Sequence, residues 1–189
     1  MRTVEENKEL CKRYPFLKCD DEYESTWADD MPQGWWDAFG EMMCDEIKKE
    51  LIRCRFLDEY EIIQIKEKWG MLRWYDNGIP EDCKVWDIIS NYSTLSENIC
   101  AVCGRPDVPV MTRGWMIPLC IKHAEDKNEY RTCAKEQYPH KMEDYRKWSQ
   151  YDSESGKWTE RREYIGDKAE KIRTAYDAKH PKVVLDQCF

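Results

Sequence analysis

Two short pairs of metal-ligand residues are the part of this sequence best suited to chemistry. Two residues separate Cys100 from Cys103, two separate Cys120 from His123, and sixteen lie between the pairs. A two-residue spacer lets both donors reach one ion from a tight turn, and tetrahedral Zn²⁺ takes four such donors. Gly104 directly follows the second cysteine, where the chain must turn sharply. The spacing therefore predicts one zinc site with four protein ligands.

A closed ligand set predicts a structural zinc site rather than a catalytic one. Four protein ligands leave no coordination position for water, so the ion would hold a small core together. The alternative is a coincidental grouping in a chain with ten cysteines, but the typical spacing of both pairs favours zinc. A zinc-dependent hydrolase would need an open position. The sequence also has no glycine-rich phosphate loop or nucleophile elbow, so we expect a protein that is not an enzyme.

A basic face on a predicted hairpin is the second candidate site. Residues 60–68 and 71–75 are rich in aromatic and β-branched residues and are joined by a Trp-Gly turn. This register pairs Lys66 with Arg73, and like charges directly opposite each other are destabilising unless an anion lies between them. This face predicts a binding site for a nucleotide or small anion, on which two aromatic rings are available for stacking. The candidate residues are Lys66, Lys68, Arg73, Trp69 and Tyr75. The alternative, favoured by the many nearby acids such as Glu59, is neutralisation within the protein.

An acidic segment near the N-terminus is a candidate for protein docking. Between positions 20 and 30 the chain has six acids, no base and two aromatic residues. Aromatic anchors ringed by charge are typical of interface hot spots. The candidate residues are Asp20, Asp21, Glu22, Tyr23, Glu24, Trp27, Asp29 and Asp30. The alternative is a solvated loop without a partner, which is the commoner case for charged segments.

Hydrophobic periodicity predicts the elements that position these residues. A helix over about residues 35–55 places six apolar side chains on one face and leaves Trp35 as a candidate binding platform. A second helix, over about residues 81–98, leads to the first cysteine pair. Period-two alternation in the hairpin places four residues on the core face: Ile63, Ile65, Leu72 and Trp74.

The predicted fold class is α+β. It comprises a helix packed on a small antiparallel sheet and a zinc knuckle with its own short hairpin. Residues 1–138 form the zinc-stabilised domain. Residues 139–189 form a mostly helical, charged C-terminal extension, in which residues 141–160 are compatible with either a hairpin or two short helices.

The composition favours a folded protein with an acidic surface. Of the 189 residues 36% are charged, but 13% are aromatic, which disordered chains lack. The first 99 residues carry 13 basic and 23 acidic side chains, so duplex nucleic acid is an unfavourable partner. No apolar run approaches the ~20 residues of a membrane span, and no signal peptide is recognisable. Ten cysteines without such a signal predict a reducing compartment, with thiols as ligands or buried groups and not as disulfides.

Several short motifs occur in one order along about residues 8–126: Tyr14-Pro15, Gly34-Trp35, Ile65-Lys-Glu-Lys-Trp-Gly-Met-Leu-Arg-Trp-Tyr75, Cys100-Ala-Val-Cys103-Gly104, Gly114-Trp115 and Cys120. In this order they resemble a widespread group of uncharacterised tailed-bacteriophage proteins. Proteins of that group typically carry Lys-Glu-Lys-Phe-Gly-x-Leu-Arg-Phe-Tyr before a Cys-x-x-Cys-Gly knuckle and a second cysteine pair. This sequence departs from them in having Trp69 and Trp74 for phenylalanine, His123 for a cysteine, and Pro32-Gln33 before Gly34.

The resemblance implies a small accessory protein made in the cytoplasm of an infected bacterium. Such phage proteins commonly bind and block a host protein, including antiviral-defence components such as CRISPR nucleases. The first functional prediction is therefore a non-enzymatic inhibitor of a host factor that acts through its acidic, aromatic-bearing surface. A nucleic-acid-binding host protein is the partner whose basic cleft suits such a surface. The alternative is a nucleotide or small-anion binder that uses the basic hairpin face and sequesters a signal.

Overall fold

The computed structural model describes residues 2–19, 25–111, 116–125 and 141–181 of the chain. The helices are α1 (Val4–Arg13), α2 (Gln33–Trp35), α3 (Glu41–Arg53), α4 (Val85–Ser96), α5 (Ile121–Glu125) and α6 (Gly166–Lys179). The strands form three antiparallel pairs, β1 (Ile62–Lys68) with β2 (Met71–Asp76), β3 (Val110–Met111) with β4 (Ile117–Pro118), and β5 (Tyr145–Asp152) with β6 (Lys157–Tyr164). The predicted α+β class is confirmed. No helix in the described ranges is long and apolar enough to cross a bilayer.

A nearly continuous helical stretch over residues 33–53 lies at the centre of the core. A π-helical turn, Trp36–Gly40, joins α2 to α3, and an added Cβ on its glycine would come within 2.5 Å of the Trp36 ring. Trp35 is fully buried and its indole Nε1 donates to the Ile99 carbonyl at 2.8 Å, so it is not the exposed platform expected from the sequence. Five of the six residues of the predicted apolar face are buried, and the sixth, Cys54, is half-buried. The buried five are Trp36, Phe39, Met43, Ile47 and Leu51.

The β1–β2 hairpin has the predicted register, with Lys66 opposite Arg73. Its two turn residues, Trp69 and Gly70, have left-handed backbones with φ of 64° and 82°, as a tight two-residue hairpin turn requires. This conformation is costly for a residue as bulky as tryptophan. Glu67 offsets part of that cost, because its Oε1 accepts a 2.7 Å hydrogen bond from the Gly70 amide.

A β-bulge changes which isoleucine of β1 enters the core. The pairing shifts between Ile62 and Gln64, and an extra residue in one strand reverses the alternation of side chains beyond it. Ile62 is therefore buried and Ile63 is 60% exposed, which corrects the prediction that Ile63 lies on the core face. The other three predicted core residues of the hairpin are buried: Ile65, Leu72 and Trp74.

Helix α4 packs against β2 through hydroxyl groups that bond the strand's backbone. The Leu72 amide donates to Ser96 Oγ at 2.8 Å, and Ser93 Oγ donates to the Leu72 carbonyl at 2.7 Å. These hydroxyls satisfy backbone groups on the side of β2 that has no neighbouring strand. The contact holds α4 beside the basic hairpin.

The C-terminal extension is a hairpin followed by a helix. Strands β5 and β6 pair over their whole length, and Gly156 in the connecting turn has a φ of 67°. The prediction of a mostly helical extension is therefore corrected over residues 145–164, where the hairpin alternative forms. The extension also shares the main core, because it contributes four buried residues to the cluster that contains α3: Met142, Ile165, Ala169 and Ile172.

An ion pair fastens α6 to the loop that follows the first cysteine pair. Arg173 donates to the two carboxylate oxygens of Asp107 at 2.9 and 3.0 Å. The Met142 amide donates to the same carboxylate at 2.8 Å. Asp107 has a φ of 60°, a conformation that asparagine also tolerates, so Asp107→Asn removes the charge without a new backbone strain.

We expect Asp107→Asn to lower the free energy of unfolding by about 1–2 kcal/mol at neutral pH. Burial acts to raise the pKa of Asp107, but the hydrogen bonds from Arg173 and Met142 outweigh it and the pKa is lowered. A carboxyl group whose folded-state pKa is lowered stabilises the fold above its unfolded-state pKa of 3.8. That contribution is lost as the pH falls through the folded-state value.

Urea unfolding at about pH 7 and about pH 3, with the metal ion removed by a chelator at both, measures this contribution. Acid protonates cysteine and histidine ligands and would otherwise release the ion at the lower pH only. The deficit of Asp107→Asn relative to the unmodified protein should shrink at the acid pH. Asp177→Asn, at an exposed position of the same helix, is the control and should show no such deficit. An Asp107→Asn deficit of equal size at both pH values would contradict the role of the charge.

Candidate metal centre and binding groove

The four predicted metal ligands lie together and are close enough to hold one metal ion. The donor atoms of Cys100, Cys103, Cys120 and His123 all lie within 4.8 Å of one another. The Cys103 and Cys120 sulfurs are 3.9 Å apart, and His123 Nδ1 lies 3.2 Å from Cys120 Sγ and 3.4 Å from Cys100 Sγ. A tetrahedron with zinc–sulfur distances of about 2.3 Å has edges of about 3.8 Å. The cluster therefore has the dimensions of a four-coordinate site.

Backbone hydrogen bonds shape the loop that carries the first ligand pair. The Gly104 amide donates to the Cys100 carbonyl at 2.9 Å, and Gly104 has a φ of 73°, as the tight turn requires. The Ala101 amide donates to the Pro118 carbonyl at 3.0 Å. This bond joins the first pair to strand β4, which leads directly to Cys120. The two pairs are thus brought together by the chain itself.

The cysteine knuckle (residues 100–104) packs directly on the start of the central helix. The Gly34 amide donates to the Ala101 carbonyl at 3.0 Å. A Cβ on Gly34 would lie 2.3 Å from the Cys100 carbonyl oxygen and 2.6 Å from the Gly104 nitrogen. Only glycine allows this approach of two backbones. The metal cluster is therefore coupled to α2 and, through it, to the main core.

Contacts within the cluster favour negative charge on one sulfur. Hydrogen bonds with the Cys103 and Cys120 sulfurs lower the pKa of Cys100, although burial opposes this effect. The same network raises the pKa of Cys120, chiefly through its contact with Cys100. A thiolate is the form of cysteine that binds a metal ion. The donor set of three sulfurs and one imidazole nitrogen suits zinc.

Two of the remaining cysteines correct the prediction that the thiols form no disulfide. Cys54 and Cys83 are joined by a disulfide, with their Cα atoms 5.7 Å apart. Cys54 follows the end of α3, and Cys83 lies in the loop before α4. These segments are adjacent because α3 packs on α4, a contact that the 29-residue separation of the two cysteines does not reveal. Cys133 and Cys188 lie outside the described residues.

A groove with a volume of about 940 Å³ lies between the hairpin turn, α4 and β5. Four of the five predicted anion-binding residues line it: Lys68, Arg73, Trp69 and Tyr75. The fifth, Lys66, does not line the groove and instead lies with its Nζ 5.3 Å from the centre of the Tyr75 ring. The Trp69 ring is 63% exposed at the rim. The structure thus brings most of the candidate site together beside a cavity.

The groove has an excess of positive charge that the protein does not neutralise by direct contact. Within the described residues, neither Lys68, Arg73 nor Lys147 forms a salt bridge, and Asp87 is the only acid among the lining residues. Glu59, which the sequence offered as a neutralising acid, forms no salt bridge with the basic face in the described part of the chain. Burial raises the pKa of Glu97, although the neighbouring Arg73 acts to lower it.

Strand β5 supplies the groove residues that sequence reasoning missed. Arg146 is only 8% exposed, and one of its guanidinium nitrogens bonds Asp87 at 3.0 Å and Glu163 at 2.7 Å. Its Nε is buried with no hydrogen-bond partner among the described residues. Trp148 stacks on this guanidinium, with the Arg146 Cζ 4.3 Å from the ring centre. A grouping of basic and aromatic residues after position 144 was the available signal, but nothing local placed it beside β2.

The described part of the acidic segment is largely occupied by contacts within the protein. Residues 20–24, which include Asp20, Asp21, Glu22, Tyr23 and Glu24, lie outside the described residues. Trp27 is half-buried and packs against the core. Asp29 lies in a one-turn 3-10 helix, Trp27–Asp30, and accepts from the Thr26 amide at 2.9 Å and from Arg2 at 3.0 Å. Only Asp30 among these three residues is exposed without such a contact.

The geometry of two features of this chain carries the functional proposal. The cluster of four possible metal ligands and the groove are separate features, and the groove is open to solvent. The tailed-phage resemblance stays a prediction. In comparisons with known proteins, the chain matches no family model, no curated protein and no solved structure.

Proposed function

We propose that this chain is a non-enzymatic binding protein whose groove takes a nucleotide, that is, a ligand with a flat ring and a phosphate. The observation that carries the proposal is that exposed rings and cations without a salt bridge to any described residue lie along one cavity. Lys68, Arg73 and Lys147 are suited to phosphate oxygens. Trp69 and Trp148 are suited to stacking on a base.

The size and chemistry of the groove support a small ligand. Ligand sites typically have volumes of about 300–1,000 Å³ and combine apolar walls with a few polar groups. Here the aromatic rings supply the apolar area, and Ser90 on α4 adds a hydroxyl beside them.

Zinc is the metal that we assign to the cysteine cluster, with a structural role. The four donors would complete its coordination and leave no position for a substrate or water. The cluster would clamp the knuckle onto Gly34 and so hold α2, and the helix that follows it, in place. Bond-breaking chemistry is not part of the proposal.

Inhibition of a host protein through the acidic surface is the competing prediction. The described part of that surface does not favour it, because Trp27 and Asp29 are engaged within the protein. The groove agrees with the phage resemblance if the role of the protein is to sequester a nucleotide signal in a bacterial cytoplasm. Groove substitutions should leave a host-protein inhibitor active and disable a nucleotide binder, so the same variants separate the two roles.

We expect some member of a panel of linear and cyclic purine nucleotides to raise the melting temperature by about 5–10 °C when it is present at about 100 times its Kd. Arg73→Glu should weaken binding of that nucleotide at least tenfold in calorimetric titration. The substitution replaces a cation that binds phosphate by a carboxylate that repels it. Lys49→Glu is the matched control, since Lys49 is exposed on α3 and away from the groove. Equal affinity for both variants, or no stabilisation by any nucleotide, would contradict the proposal.

A further inference from the structure

The outward side of the β5–β6 hairpin carries a patterned set of rings and cations. Alternation along the two strands places on this side the cross-strand pairs Tyr145–Tyr164, Lys147–Arg162, Ser149–Glu160 and Tyr151–Trp158. We call the four aromatic and two basic residues of these pairs the ribbon face. A ring pair thus lies at each end and a pair of cations lies near one of them.

Every ring of the ribbon face is exposed, and each is held in place by a neighbour. Trp158 is 71% exposed, the largest exposed fraction among the large hydrophobic residues of the described chain. Its ring centre is 5.4 Å from that of Tyr151, and the Tyr145 and Tyr164 ring centres are 5.3 Å apart. Tyr164 also lies against Gly166, where an added Cβ would meet its ring at 2.5 Å. Exposed rings with fixed positions are unusual on a surface that has no partner.

The cations of the ribbon face repel each other and form no ion pair with a described residue. Lys147 and Arg162 are directly opposite, and neither forms a salt bridge with any described residue. Like charges at directly opposed positions destabilise a strand pair. The Arg162 guanidinium lies 5.6 Å from the Tyr145 ring centre. Glu160 is the one acid on this side, and it faces Ser149.

We infer that the ribbon face binds an extended single strand of nucleic acid. Bases can stack on the ring pairs, and phosphates between them can bond Lys147 and Arg162. The two ring pairs are six residues apart along β5, a distance of about 20 Å, which is too long for one nucleotide and suits several in a row. A duplex does not fit this pattern, because its bases are stacked on each other and not available to the rings. An acidic peptide would match the cations but offers no flat rings to stack.

The inference goes beyond the proposed groove site and does not depend on it. Lys147 is the only residue of the ribbon face that also lines the groove. The test therefore uses Trp158 and Arg162, which the groove does not contain. Their substitutions should leave nucleotide binding in the groove unchanged, so the two proposals can fail separately.

The experiment measures fluorescence anisotropy of a labelled oligothymidylate of about 12 nucleotides with the full-length, metal-loaded protein. We expect Trp158→Ala to weaken binding at least fivefold and Arg162→Glu at least tenfold. The matched controls are Trp86→Ala, a tryptophan 57% exposed on α4, and Lys171→Glu on the exposed side of α6. The logarithm of the binding constant should fall with the logarithm of salt concentration with a slope of about −1.4, as two phosphate contacts predict.

Four outcomes would overturn the inference. These are no binding of the oligonucleotide, equal weakening by Trp86→Ala, equal affinity for the corresponding duplex, and equal affinity for poly-glutamate, which would show attraction by charge alone. Because both target side chains are exposed, the variants should fold, and an unchanged melting temperature verifies this for each.

Discussion

Cys120→Ser protein is expected to lose its bound zinc and to melt at least about 10 °C below the unmodified protein. A hydroxyl is a poor zinc ligand beside a thiolate, and removing one of four donors opens the site. Structural zinc contributes about 10–16 kcal/mol of apparent binding free energy in small zinc peptides. This binding free energy is comparable with the total stability of a typical domain, which is about 5–15 kcal/mol. The effect should therefore be the largest of any single substitution proposed for this chain.

Two variants control for the chemistry of this change. His123→Cys keeps four donors and should retain about one equivalent of zinc, because four cysteine sulfurs also form a tetrahedral zinc site. Cys11→Ser removes a free, half-buried thiol outside the cluster and should leave both metal content and melting temperature unchanged. Elemental analysis of purified protein and thermal unfolding with and without a chelator provide the readouts. Purified protein without a metal ion, or Cys120→Ser protein with undiminished zinc, would refute the assignment.

Gly34→Ala should lower the free energy of unfolding by about 3 kcal/mol or more, although it adds one methyl group. The new Cβ would lie 2.3 Å from the Cys100 carbonyl oxygen and 2.6 Å from the Gly104 nitrogen, both of which are backbone atoms. Flexible side chains can move away from such a contact, but these atoms belong to the loop that carries two metal ligands. The substitution should therefore also weaken zinc binding. Urea unfolding of the metal-loaded protein and competition with a chromophoric chelator measure the two effects.

Gly78→Ala is the matched control for Gly34→Ala. Gly78 has a φ of 98° but no atom within 4 Å of an added Cβ. Its substitution should cost only backbone strain, about 1–2 kcal/mol, and should leave zinc affinity unchanged. If Gly34→Ala is no more destabilising than Gly78→Ala, the close packing of the knuckle on the helix is not important for stability.

Several features of the fold were predictable from residues near one another in the chain. The register of the first hairpin follows from its Trp-Gly turn. Because this turn has two residues, it permits one strand register, and that register places Lys66 opposite Arg73. The bulge beside Ile62 was not predictable, because the strand sequence is equally apolar at Ile63. The C-terminal hairpin was one of two alternatives, because Tyr145, Trp148 and Tyr151 recur at every third position, a spacing that also suits one side of a short helix.

Of the two candidate sites, one was predictable from the sequence and the other was not. The spacing of Cys100, Cys103, Cys120 and His123 predicted a cluster that the structure assembles. The groove could not be predicted, because it needs Trp148 beside Trp69, and 78 residues separate them in the sequence. The disulfide between Cys54 and Cys83 depends in the same way on the packing of two helices.

The amino-acid sequence by itself determined which four residues form the candidate metal site, most of the buried face of the central helix and the strand pairing around Trp69. Each of these depends on residues within one or two turns of helix, one tight turn or one ligand spacing, so local chemistry is sufficient. Only the tertiary structure decided that Trp35 is buried, that β5 forms a wall of the groove and that the ribbon face points away from the core. These features depend on which distant segments share the core, and that choice is made by the burial of apolar surface across the whole chain.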